Sequence, residues 1–83
     1  MQFPAIFQIG KIEDVTPNDS TDIKNGAIIF LDNDSTEGTI KFDCVNGGTT
    51  TLSFTKGELK PFQIKRVYAT GTTASGIKAG YID

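Results

Sequence analysis

Apolar and polar residues alternate strictly in two neighbouring stretches. In "GTIKFDC" (Gly38 to Cys44) Ile40, Phe42 and Cys44 share one face, and in "TTTLSFT" (Thr49 to Thr55) Thr50, Leu52 and Phe54 do. A period of two sends successive side chains to opposite faces, so both stretches read as half-buried strands. Between them, Asn46-Gly47 predicts a tight type I′ hairpin turn, whose two central residues need positive φ, with Gly48 free to take an adjoining bulge. Thr39, Lys41, Asp43, Thr49, Thr51, Ser53 and Thr55 point the other way and leave one face of the ribbon wet. "GAIIFLD" breaks the pattern. Ala27 to Leu31 is continuously apolar, which predicts a strand covered on both faces, central in its sheet or at a contact between subunits.

The remaining segments are shorter. Ala5, Phe7 and Ile9 alternate behind Pro4, with Gly10 as a bend, and predict an edge strand or a reaching arm. In "PFQIKRVYAT" Phe62 and Ile64 share one parity and Val67 and Ala69 the other, so the apolar face changes over at Lys65-Arg66. Either a bulge inserts there or the second half of the strand has apolar neighbours on both sides, as in an assembly. Ile77, Ala79 and Tyr81 restore alternation at the end. No window carries a helical period. About six short antiparallel strands with turn signals between them predict an all-β, single-domain sandwich or small barrel. Residues 1–14 read as an N-terminal arm or edge strand and residues 15–83 as the sandwich domain.

Composition narrows the role. A chain of 83 residues has a thin core, and scaffolds of this size lean on disulfides, a metal or oligomerisation. Cys44 is the only cysteine and there is no histidine, which excludes an internal disulfide and the usual zinc sites. Oligomerisation is the remaining support, and it makes Phe3, Ala5, Phe7, Ile9, Arg66, Val67 and Ala69 the expected subunit interface. The net charge of -2 argues against a nucleic-acid partner. No apolar run is long enough for a membrane span, and no signal-peptide pattern opens the chain. The Asn18 and Asn33 sequons would matter only on a secretory route.

Candidate chemistry is sparse. Gly71 and Gly76 have P-loop spacing in "GTTASG", but Ile77 stands where the lysine belongs and a strand follows, so a hairpin loop is the better reading. Asp32, Asp34 and Thr36 imitate the start of a calcium loop, which Glu37 breaks where glycine is required; a solvated turn is expected there. Without histidine there is no Ser-His or Cys-His pair, and Cys44 sits on the apolar face, so the chain is expected not to be an enzyme and to carry no cofactor. Phe62, Lys65, Arg66 and Tyr68 could imitate a single-strand-binding surface; the competing reading places Phe62 in the core and Arg66 on a carboxylate. Tyr68 and Tyr81 are the aromatic candidates for a carbohydrate- or receptor-binding sandwich.

Two stretches, "VTPNDSTDI" (Val15 to Ile23) and "KRVYATGTTASGIKAGY" (Lys65 to Tyr81), carry a resemblance. Thr16, Pro17, Asp19, Thr21 and Asp22, then "GGTTTLSF", then Arg66, Val67, Ala69, Thr70, Gly71, Thr72, Thr73 and Ala74 match the motifs of the head-spike base proteins of gene transfer agents and tailed bacteriophages. The chain resembles that family from Val15 to Tyr81. The resemblance implies a small all-β structural protein of a virion, assembled in the bacterial host cytoplasm. It would form a homo-oligomer, most simply a pentamer, at a capsid vertex. Its partners would be the major capsid protein and a spike or fibre protein. Capsid decoration and a tail position are the neighbouring roles.

Overall fold

The alternating stretches become strands in the computed structural model, which describes residues 9–81. They are β1 (Lys11–Asp14), β2 (Ile28–Thr36), β3 (Gly38–Cys44), β4 (Thr49–Phe54), β5 (Ile64–Val67) and β6 (Ser75–Tyr81), with no helix among the described residues. They pair antiparallel in two three-stranded sheets of order β1-β6-β2 and β4-β3-β5. The inner faces supply one core: Ile29 and Leu31 from β2, Ile40 and Phe42 from β3, Phe54 from β4, Ile64 and Val67 from β5, and Ile77, Ala79 and Tyr81 from β6. Phe42 meets Phe54 edge-on at 6.3 Å between ring centroids, the arrangement that aromatic quadrupoles favour. The expected all-β architecture is the one observed.

The expected interface residues Phe3, Ala5 and Phe7 lie outside the described residues. Ile9 is described and crosses the outer face of the first sheet. Its Cγ2 would lie 3.0 Å from a Cβ on Gly80, so the bare glycine gives the Ile9 side chain room for a close approach. Lys11 to Asp14 is the outermost strand of that sheet, paired from Lys11↔Tyr81 to Asp14↔Lys78.

β2 explains its own apolar run. Ala27, Ile28, Ile29 and Leu31 are all buried. Although β2 ends the sheet order, its far side is bridged by Ala27↔Ile64, Phe30↔Leu59 and Leu31↔Lys56. Both faces and both edges are thus covered within one chain, and no second subunit is needed to bury the run. β2 also extends past the expected solvated turn as far as Thr36, with a register break after Leu31. Ser35 fixes that break. Its buried Oγ accepts the Asp32 amide at 2.9 Å and lies 2.7 Å from the Gly76 carbonyl oxygen.

Two local details differ from expectation or resolve it. The β3–β4 hairpin forms, but its turn is not type I′. The Gly47 amide donates to the Cys44 carbonyl at 3.0 Å and the Cys44 amide to the Gly48 carbonyl at 3.1 Å. Only the glycines, Gly47 (φ 102) and Gly48 (φ 98), take positive φ there, and Asn46 does not. That is a three-residue loop closed by a glycine bulge, the next commonest hairpin connection, and it spares Asn46 a left-handed conformation. In β5 the parity change is a bulge: Phe42↔Val67 and Asp43↔Arg66 pair in step, whereas the next pair is Cys44↔Ile64. The extra residue lets Ile64 (0% exposed) and Val67 (1%) both face the core.

Candidate functional site

The "TGTTASG" loop between β5 and β6 is built into the sheet. β3 pairs with β5 only from Phe42 to Cys44, which leaves the same edge open at Thr39 to Lys41. The loop fills it. The Tyr68 amide donates to the Lys41 carbonyl at 2.8 Å, and the Thr73 and Ala74 amides donate to the Thr39 carbonyl at 2.8 and 3.1 Å. In return the Thr39 amide donates to Thr73 Oγ1 at 2.8 Å and the Lys41 amide to Thr72 Oγ1 at 3.0 Å. Two threonine hydroxyls therefore stand in for strand carbonyls, which explains why this turn is rich in hydroxyl residues. Unsatisfied edge groups are what sheets must hide.

The segment after β1 clasps this loop from the other side. Asp19 Oδ1 accepts the amides of Ala69 and Thr70, both at 2.9 Å, and Asp19 Oδ2 accepts the Thr70 hydroxyl at 2.6 Å. Arg66 Nε donates to Asp22 Oδ1 at 2.7 Å, and its terminal nitrogens reach the carbonyls of Asp19 and Ser20 at 3.3 and 3.5 Å. Backbone bonds run alongside, Asn18 to the Val67 carbonyl at 2.8 Å and Ile23 to the Lys65 carbonyl at 2.9 Å. Asn18 Oδ1 closes a turn by accepting the amides of Ser20 and Thr21, a common way for Asn to hold a loop. The motif residues Asp19, Asp22, Arg66, Ala69, Thr70, Thr72, Thr73 and Ala74 thus meet as one unit, although the two halves are far apart in sequence.

Next to the clasp, Tyr68 Oη donates to Asp43 Oδ2 at 2.8 Å, and Asp43 also accepts the Thr49 hydroxyl. Lys41 Nζ sits 4.9 Å from the Tyr68 ring centroid and Arg66 Cζ 5.8 Å. With its ring flanked by two cations and its hydroxyl engaged, Tyr68 is a structural strut. Tyr81, the other aromatic candidate for a wet face, is buried at 4% exposure. The binding-module pair therefore does not form a common exposed surface. Among the residues expected at an interface, Val67 is in the core of the single chain, Arg66 is spent on Asp22, and Ala69 is exposed. Phe62 is 39% exposed and stacks on the buried Phe42 at 6.2 Å between ring centroids.

The carboxylates titrate accordingly. The Thr70 hydroxyl, then the Thr70 amide, hold Asp19 below its ordinary range; Ser35 and the Asp34 amide do the same for Asp32. The Asp22 contact raises Arg66, and burial raises the Tyr81 phenol. A carboxylate whose folded pKa is depressed adds stability above its unfolded pKa of about 4 and loses it as pH falls through the folded value. The thermal midpoint is thus expected to fall on acidification below about pH 4, and Asp19→Asn to flatten that limb. Parallel acid limbs for both proteins would show that the clasp does not couple to folding. The tyrosine acts oppositely, withdrawing stability as pH rises above its ordinary value near 10.

No group of three Asp, Glu or Cys side chains converges as a metal cluster among the described residues, and no pocket opens among them. At Asp32, the Asp34 amide at 3.0 Å and the Ser35 hydroxyl both engage Oδ1 locally. What the geometry offers is an interlocked surface loop on a two-sheet scaffold.

No protein-family model matches the chain, and no curated protein matches it. Among solved structures, it is similar to a chain of the capsid of a native GTA particle computed with C5 symmetry. The two are 28% identical, with a TM-score of 0.77, over 96% of this chain and 92% of that one.

Proposed function

We propose that this protein is a structural component of a virion-like particle, assembled as a ring at a capsid vertex where it forms the base for a spike or fibre. The observation that carries the reading is the end-to-end likeness to a GTA capsid chain, at 28% identity over nearly the whole of both chains. A whole-chain match transfers more than a shared core, because it includes the loops and strand lengths in which assembly proteins differ. The surface loops fit the same reading: the polar groups of the two motif stretches bind one another, Asp19 to Ala69 and Thr70 and Arg66 to Asp22.

In this reading the homo-oligomer is a pentamer whose N-terminal arm, Phe3, Ala5 and Phe7, reaches a neighbouring copy, while Ile9 packs on Gly80 of its own chain. The major capsid protein lies beneath the ring and a fibre protein above it. Quantitative mass spectrometry of particles purified from the source bacterium tests the location. The chain should co-purify at a constant ratio to the major capsid protein, with a copy number that is a multiple of five. Absence from washed particles would overturn the reading, and a ratio matching capsid faces would move the protein from vertex to decoration. Deletion of Met1 to Gly10 is expected to weaken self-assembly, read as a loss of the oligomer on dilution; an unchanged oligomer would remove the arm from the contact.

A further inference from the structure

Asparagine stands directly before glycine at Asn25-Gly26 and at Asn46-Gly47. Such a pair carries its own reaction, because a residue without a Cβ leaves its backbone nitrogen unobstructed beside the asparagine side chain. The glycine nitrogen gives its proton to a base in water and bonds to the asparagine Cγ. The bond from Cγ to the side-chain nitrogen breaks, and ammonia leaves. Water then opens the cyclic imide at either carbonyl, which yields aspartate or isoaspartate. The sum is water in and ammonia out, with no change of oxidation state. Two conditions must be met: the glycine amide must be released from its hydrogen bond, and the backbone must swing until the nitrogen reaches Cγ. The fold therefore decides which pair reacts.

Both asparagines are exposed, and a Cβ on Gly26 or on Gly47 would meet nothing within 4 Å. Anchoring, not crowding, separates them. Around Asn25 the backbone is stitched to β5 on both sides. The Ile23 amide donates to the Lys65 carbonyl at 2.9 Å, the Gly26 amide to the Ile64 carbonyl at 3.2 Å, and Ala27 and Ile64 exchange amide-to-carbonyl bonds at 3.2 and 2.8 Å. Ala27 and Ile64 are both at 0% exposure, so swinging Gly26 means parting a core pair. Asn46 is anchored on one side only, where the Val45 amide donates to the Gln63 carbonyl at 3.0 Å. On the glycine side the bonds stay within the turn, Gly47 amide to Cys44 carbonyl at 3.0 Å and Cys44 amide to Gly48 carbonyl at 3.1 Å. Beyond it Thr49, Thr50 and Thr51 are exposed, and β4 has β3 alone as its neighbour among the described residues. Opening an exposed hairpin tip costs far less than opening a core pair.

We propose that Asn46 is a self-modification site, converted by water to aspartate and isoaspartate in the folded chain, while the fold protects Asn25. Either product adds a negative charge to a chain whose net charge is already -2, next to the Asp43↔Thr49 pair that closes the hairpin. Isoaspartate also routes the main chain through the former side chain, which lengthens a loop closed by short bonds. The inference stands apart from the assembly reading and does not rest on it.

The test ages the full, unaltered chain in water enriched in heavy oxygen, at mildly alkaline pH, once folded and once in concentrated urea. Only conversion during ageing takes up the label. Cleavage after lysine then places the sites on separate peptides, Asn25 to Lys41 and Phe42 to Lys56, and mass spectrometry with chromatographic separation of isoaspartate reads each. In the folded chain Asn46 is expected to convert at least about tenfold faster than Asn25, since local opening precedes reaction. In urea the two rates should converge, because the anchoring of Asn25 is gone. Equal rates in the folded chain, or an Asn46 that stays unlabelled there, would overturn the proposal. A difference that persists unchanged in urea would overturn it too, because the neighbouring residues rather than the fold would then set it.

Discussion

Gly38→Ala is expected to lower the thermal midpoint by about 4–24 °C, an overpacking loss of about 1–3 kcal/mol at about 4–8 °C per kcal/mol in a domain this small. A Cβ on Gly38 would stand 2.4 Å from Thr73 Oγ1, 2.8 Å from the Ala74 nitrogen and 3.0 Å from the Thr73 carbonyl carbon. None of these atoms is the far end of a flexible side chain. Thr73 Oγ1 is held by the Thr39 amide at 2.8 Å, and the Ala74 amide by the Thr39 carbonyl at 3.1 Å. To make room, the loop must let go of β3. Thermal melts of Gly38→Ala, Thr73→Ala and the double variant read this directly. The double variant should be less destabilised than the two single losses added together, because removing the hydroxyl relieves the worst clash. A Gly38→Ala midpoint equal to that of the unaltered protein would show that the loop does not seal this edge.

Phe42→Ala is expected to bring the chain close to its unfolding midpoint at 25 °C, with a large unfolded population. Truncating a buried phenylalanine costs about 3–5 kcal/mol, which equals the roughly 3–5 kcal/mol that a core of this size supplies in total. Phe42 is fully buried and joins two other rings, edge-on to Phe54 and stacked with Phe62. Phe42→Leu keeps most of the volume and should fold with reduced stability, measured by urea titration followed by circular dichroism. A cooperative transition of near-normal midpoint for Phe42→Ala would mean that the sandwich is held from elsewhere, for instance by the oligomer. Running the titration at several protein concentrations separates that case, because oligomer-derived stability depends on concentration.

Both substitutions act on the inner seam of the sandwich, and they separate two kinds of information in the chain. Ile40 and Phe42, or Ile77, Ala79 and Tyr81, are core residues because alternation assigns them to one face, and alternation is a local property of a strand. The same holds for the position of the β3–β4 hairpin, where the glycines after Asn46 permit the reversal. The turn's internal form was not legible in this way, since Asn46-Gly47 is compatible with more than one loop, and the closing bonds between Cys44, Gly47 and Gly48 select the three-residue version.

Local pattern ran out wherever a residue's partner is distant. The parity change at Lys65-Arg66 was visible, but whether it meant a bulge or a subunit contact depended on what Asp43 and Cys44 pair with. The apolar run of β2 was visible too, but its cover comes from Lys56, Leu59 and Ile64, brought alongside by folding. Asp19 and Arg66 lie in stretches that share no periodicity, and no rule of spacing joins a carboxylate to amides 50 and 51 residues away. Tyr81 and Tyr68 show the same limit: both continue strand-like sequence, yet one is buried and the other is pinned between cations.

The all-β class and the inward-facing residues of the alternating strands were therefore legible in the sequence, because they depend on neighbours within a few positions, whereas β1 at Lys11–Asp14 and the reach of β2 to Thr36 were not. Tertiary structure alone decided which edges are sealed and which stay open. The loop hydroxyls of Thr72 and Thr73 close β3 and the segment from Lys56 to Leu59 closes β2, whereas β1 has β6 alone as its neighbour among the described residues. An edge is satisfied or left open by hydrogen-bond partners that only the folded chain brings within reach, so its state is written in no single segment.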